Sequence, residues 1–174
     1  MAQDLGSICN VGTEARLPMV RRGRLRAIMS ESITVETDLF EHRQVKPHFI
    51  NPCCFGEDFA TWLKQELLHS ADLGFELSGI VQEDYGWGFW ASRGRDSFWV
   101  AFSYVGDGPQ EPPPQWVISV NHDAKLNLFK RLFQKPDSKA FTQLRDRVWQ
   151  VLRSNDAIRI IETLKSSTKP MRKT

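Results

Sequence analysis

Hydrophobic positions along this chain shift from helical to two-residue spacing and back again. Phe55, Phe59, Trp62, Leu63, Leu67 and Ala71 recur at intervals of three and four, which predicts a helix over 57–73 with one apolar stripe. Glu57 and Asp58 fall in its first turn, where carboxylates suit the positive end of the helix dipole, and Gly74 marks its stop. Ahead of it, 43–52 holds a short extended core, His48–Asn51, closed by Pro52. Pro47 confines that piece to a sheet edge or a lead-in.

Beyond Gly74 the pattern becomes that of strands. Segments 75–82, 87–92, 97–105 and 115–122 are rich in aromatic and β-branched residues and are separated by turn residues. The separations are too short for helical crossovers, so the strands should form an antiparallel meander. Gly106–Pro114 contains too much Gly and Pro for regular structure and reads as a projecting loop. Helical spacing then returns. A short basic helix is predicted over 125–134, ended by Pro136. A second, capped by Asp137 or Ser138, runs to about Arg153 and buries Phe141, Leu144, Val148, Val151 and Leu152. The piece 156–164 fits a short helix and a strand equally well.

Together these elements predict an α+β fold: an antiparallel sheet of about four or five strands with helices packed on one face. Residues 1–36 show no sustained period and read as a disordered or loosely held N-terminal arm. Met29 opens Met-Ser-Glu-Ser-Ile-Thr-Val-Glu like an ordinary protein start, so one reading makes 1–28 an upstream extension from a misassigned start. Its rivals are a nucleic-acid arm and an organelle transit peptide. Residues 37–166 form a single domain in this reading, and 167–174 a frayed basic tail.

Composition narrows the class. The 174 residues are 41% hydrophobic and 25% charged, ordinary for a globular protein, but six Trp and eleven Phe make aromatic packing or an aromatic surface an expectation. No apolar run approaches the roughly 20 residues that span a bilayer. Arg21, Arg22, Arg24 and Arg26 interrupt any secretory apolar region. Cys53 and Cys54 are neighbours, about 3.8 Å apart at Cα, short of the ~4.4–6.8 Å that a disulfide spans. With Cys9 they make an odd count, which points to reduced thiols and a cytoplasmic address.

The net charge of +2 conceals a polarised chain. Residues 57–123 carry eleven acids and three bases, whereas 125–159 carry nine bases and three acids. The acidic half contains the densest aromatic run, Gln82-Glu83-Asp84-Tyr85-Gly86-Trp87-Gly88-Phe89-Trp90. In an extended chain Glu83 and Asp84 point to opposite faces, which disfavours a paired acid and base. Trp87 and Phe89 share one face and Trp90 takes the other, while Trp99 on the next strand lies opposite Phe98. Large rings on both faces, bordered by acids, suggest a partner surface made by Glu83, Asp84, Tyr85, Trp87, Trp90 and Trp99. Burial on both faces is the competing reading.

The order helix, strand, Gln82–Trp90, strand, Gln115–Val120 resembles small uncharacterised bacterial proteins with an E-D-x-G-W segment between two strands. Glu83, Asp84, Gly86 and Trp87 carry the resemblance, with Trp116, over roughly 45–160. It implies a bacterial, cytosolic, single-domain protein and brings no known activity.

Other chemistry finds thinner support. His48, Cys53, Cys54 and His122 fit no common zinc spacing, and no cofactor motif is present. A thiolate pair of Cys54 with His48 or His122 lacks any surrounding signature, as does a Gly-rich phosphate loop. The leading expectation is therefore a non-enzymatic protein-binding module, with an immunity or inhibitor protein as one concrete form, whose partner is another protein. The alternatives are a small hydrolase or metal-dependent enzyme using Glu83, Asp84 and His122, and nucleic-acid binding through Lys125, Lys130, Arg131, Lys135, Lys139, Arg145, Arg147 and Arg153 of the basic C-terminal helices.

Overall fold

A computed structural model describes residues 29–51, 54–69, 73–105, 113–122 and 137–165. The elements are β1 (Ser30–Glu36), α1 (Glu57–Leu68), β2 (Glu76–Leu77), β3 (Val81–Glu83), β4 (Gly86–Arg93), β5 (Asp96–Val105), β6 (Gln115–His122), α2 (Ser138–Arg153) and β7 (Arg159–Lys165). The α+β class follows directly. All seven strands join one antiparallel sheet in the order β2–β4–β5–β6–β1–β7, with β3 also on β4. The short strands β2 and β3 thus lie end to end along one edge. Leu77 faces Ala91 and Val81 faces Gly88, so between these pairs three residues of the edge, 78–80, oppose two of β4, Phe89 and Trp90. That extra residue is a β-bulge, and Ser78 bridges it: its amide donates to the Trp90 carbonyl and its hydroxyl accepts from the Trp90 amide, each at 2.9 Å.

Both helices cover the same side of the sheet. Phe59 of α1 packs on Phe102 and Trp116 at ring-centroid distances of 5.2 and 5.6 Å, and Phe141 of α2 lies 6.1 Å from Phe98. Phe89, Phe98, Val100, Phe102, Trp116, Ile118 and Val120 project from the strands into this layer and are buried. Burial of this many large side chains is the main driving force for the fold.

The sheet has more strands than the four or five expected, because β1 was not foreseen as a strand and the segment 75–82, read as one strand, forms two, β2 and β3. Ser30–Glu36 belongs to the sheet and not to a loosely held arm: it lies between β6 and β7, with Ile33 and Val35 fully buried. Only those two apolar residues mark it, and its partners lie far along the chain, so no local hairpin signal exists. The piece left open between helix and strand is the edge strand β7. Helix α1 ends at Leu68, earlier than Leu73, with His69 as its C-cap. His48–Asn51 is not a strand: Lys46–Phe49 forms a turn, closed by the Phe49 amide donating to the Lys46 carbonyl at 3.0 Å, and bends follow it at Ile50 and Asn51. The cap of α2 is as expected: the Asp137 carboxylate accepts from the Lys139 and Ala140 amides, and the helix runs to Arg153. The predicted basic helix over 125–134, most of the Pro-rich loop, residues 1–28 and the tail lie outside the described residues. No helix among the described residues is long and apolar enough to cross a membrane.

Candidate functional site

Glu83 pairs with Gly86 across a two-residue turn, Asp84–Tyr85. The tight turn forms where Gly86 adopts φ 151°, and a Cβ there would lie 2.0 Å from the Phe102 carbonyl oxygen. Strand alternation then sorts the aromatic run by face. Trp87 points to the helix side and is buried, its indole N–H donating to the Cys54 carbonyl at 2.6 Å. Gln82 works on the same side: its amide oxygen accepts from the Ile50 backbone N–H at 2.7 Å and its nitrogen donates to the Asn51 carbonyl at 3.3 Å. The Asp84 carbonyl accepts from the Asn51 side chain and the Cys54 thiol, at 3.4 and 3.3 Å. Much of the hairpin tip is therefore a latch that fastens the loop leading into α1.

The other side carries the remaining rings. Register places Glu83 with Gly86, Val81 with Gly88 and Trp90 with Trp99 on the face away from the helices. Trp90 and Trp99 meet at 4.9 Å between ring centroids. Trp99 lies over Gly88, where a Cβ would come within 2.4 Å of its ring, and its indole N–H donates to the Tyr85 hydroxyl at 2.9 Å. Trp99 is consequently buried although no helix among the described residues covers it. Trp90 is half-buried, while Tyr85 and Val81 are 51% and 42% exposed. The rest of this face, among the described residues, is mostly small or polar, with Ser97, Ala101, Ser103, Ser119 and Asn121 on β5 and β6 and Ser32 and Thr34 on β1, beside the apolar Val105 and Val117.

Of the six expected binding residues, Glu83, Tyr85, Trp90 and Trp99 thus come together on the open face. Asp84 sits exposed in the adjoining turn, and Trp87 is a core residue on the opposite face. Among the described residues, no base forms an ion pair with Glu83 or Asp84. Val81 and the floor of Gly86 and Gly88 were missed by sequence reasoning. Their signal was the Gly-x-Gly spacing opposite Trp99, legible only once the strand register is known.

The enzyme grouping does not assemble. His122 lies on the covered face, opposite Phe98, with its Nε2 3.6 Å from Asp96. Glu83 occupies the other face, at the Gly86 end of β4, so the two point away from each other and lie far apart along the strands. Cys54 and His48 do not pair either, since the imidazole bonds to Glu57 at 2.9 Å and the thiol to Asp84. No group of three metal-ligating side chains occurs among the described residues. On α2, Arg145 is bound to Glu31 and Asp146, each at 2.7 Å. Burial alone would lower its pKa, but hydrogen bonds to Asp146 and Glu31 outweigh it and raise the value.

A second concavity, about 390 Å³, is lined by residues 38–44 and Asp58. Its acids are occupied by their own loop. The Asp58 carboxylate accepts from the Glu41 amide at 2.7 Å, and Glu41 accepts from the Arg43 and Gln44 amides at 2.7 and 3.0 Å. The Arg43 amide, then that of Gln44, hold the Glu41 carboxyl below its usual range. His42 is buried, its Nδ1–H donating to the Phe40 carbonyl at 3.0 Å. This pocket is built for loop structure.

Comparison with known protein families, curated proteins and solved structures finds no match for the chain.

Proposed function

We propose that this protein is a non-enzymatic, protein-binding module that acts through the open face of its sheet, with an immunity or inhibitor role against a basic partner as its concrete form. The observation that carries this reading is the placement of Glu83, Tyr85, Trp90 and Trp99 on a face that no helix among the described residues covers, beside the exposed Val81. Aromatic rings flanked by acids supply what such a surface requires: anchors for burial and charges for steering. The reading places the protein in the cytoplasm, where the thiol of Cys54 stays reduced.

Affinity capture from host lysate, comparing wild type with Glu83→Lys/Asp84→Lys and with Trp90→Ala, tests it. A partner retained by wild type and lost from both variants, which keep the wild-type circular dichroism, is expected. Equal capture by all three, or no specific capture, overturns the proposal.

A further inference from the structure

The open-face patch is chemically one-sided. From Gln65 to Ser92 the chain contains Glu66, Asp72, Glu76, Glu83 and Asp84 and no Lys or Arg. The nearest base in sequence, Arg93, donates to Gln143 of α2 at 2.7 Å and lies over the Phe75 ring, 4.7 Å from its centroid. Among the described residues no base pairs with Glu83 or Asp84, and Arg95, exposed in the turn that joins β4 to β5, stands beyond Trp90 and Trp99 at the far end of the patch. Glu83 stands opposite Gly86, four residues along the same face from Trp90, a span of about 13 Å at the rise of a strand. Tyr85 and Trp99 fill the interval, held to each other by the indole–hydroxyl bond.

We infer that the occupant of this face is an extended, arginine-bearing segment of the partner protein. The inference rests on the protein-binding reading of the same face and names the chemistry that it recognises. A guanidinium is planar, so it stacks on an indole or phenol ring while its edge meets a carboxylate in a bidentate pair. An ammonium ion lacks that plane. The spacing favours an extended segment because arginines at alternate positions of a strand project to one side and sample both ends of the patch. The Trp99–Tyr85 bond fixes two of the rings before binding, which lowers the ordering cost of association.

Isothermal titration of the full chain with a short synthetic peptide carrying arginine at every second position tests this, beside the same peptide with citrulline, a neutral isostere, and with lysine. Saturable binding to the arginine peptide is expected, weaker as salt rises, lost with citrulline and several-fold weaker with lysine. Trp90→Ala should weaken it about tenfold, and Glu83→Gln/Asp84→Asn by a similar factor. Equal binding of the citrulline peptide, or equal binding by these variants, overturns the inference. So does binding that emerges only when Arg16, Arg21, Arg22, Arg24 and Arg26 are replaced by Gln, since the chain's own arginines would then hold the face. Failure of the peptide alongside successful capture that depends on Glu83 and Trp90 removes the guanidinium and leaves the binding reading intact. Failure of both removes the reading as well.

Discussion

The two faces of the sheet use the same strands to different ends. The covered face is a continuous layer of Phe89, Phe98, Val100, Phe102, Trp116, Ile118 and Val120, matched by helices that supply Phe59, Leu63, Phe141 and Leu144. The open face is mostly Ser, Thr, Gly and Ala, with its large rings gathered at the β3–β4 hairpin. Large side chains on the first face are accounted for by the core they build. Trp90 and Tyr85 on the second build no core, and their position on the same face as Glu83, which pairs with no base among the described residues, is what directs attention to recognition. One hairpin of nine residues therefore serves both: Gln82 and Trp87 hold the molecule together, and Glu83, Tyr85 and Trp90 face outward.

This contrast is open to challenge by substitution. Phe102→Ala, on the covered face, should cost about 3–5 kcal/mol in denaturant unfolding, the usual loss for a fully buried ring. Trp87→Phe keeps an aromatic ring but leaves the Cys54 carbonyl without its indole donor, which should cost about 1–3 kcal/mol by the same measurement. Gly88→Ala is the corresponding break on the open face. Its methyl group would collide with the Trp99 ring and the Val100 carbonyl, so about 1–3 kcal/mol should be lost and Trp99 displaced, with its fluorescence shifted to the red. Trp90→Ala should cost less than Phe102→Ala, about 1–2 kcal/mol from partial burial and one ring pair. A Trp90→Ala loss as large as that of Phe102→Ala would erase the distinction between the faces.

The smallest effect lies away from both faces, at Glu57. Burial pushes its carboxyl up, but hydrogen bonds from Lys46 and His48 outweigh that and leave it below the ordinary 4.5. A carboxylate depressed in the folded state contributes stability above its unfolded pKa and loses it as pH falls through the folded value. Glu57→Gln should therefore lower the melting temperature slightly near neutral pH, and the difference should close as pH drops below about 4.5. A gap that stays constant down to acid pH would show that the ion pair contributes nothing.

Local pattern and register explain what was legible beforehand. Strands β4, β5 and β6 announce themselves by alternation and by turns of a few residues, and α2 by its apolar stripe and its Asp137 cap. The division of Trp87 and Phe89 from Trp90 needs only the two-residue period of a strand. Strand β1 was hidden because Ser30–Glu36 offers two apolar side chains and pairs with segments far along the chain, a non-local choice that no window reveals. The bulge between β2 and β3 was hidden for a similar reason, since it is set by the Ser78–Trp90 bonds. The latch of Gln82, the Asp84 carbonyl and Trp87 depends on a loop thirty residues earlier, and it turned one of the six expected binding residues, Trp87, into structure.

The most direct measurement is a nuclear magnetic resonance titration of the indole N–H signals with the arginine peptide. The tryptophans report the two faces separately, Trp90 and Trp99 on the open one, Trp87 and Trp116 on the covered one. The account predicts that the Trp90 and Trp99 signals move with saturation while those of Trp87 and Trp116 stay in place. Movement of Trp87 and Trp116 with Trp90 and Trp99 unmoved would contradict it.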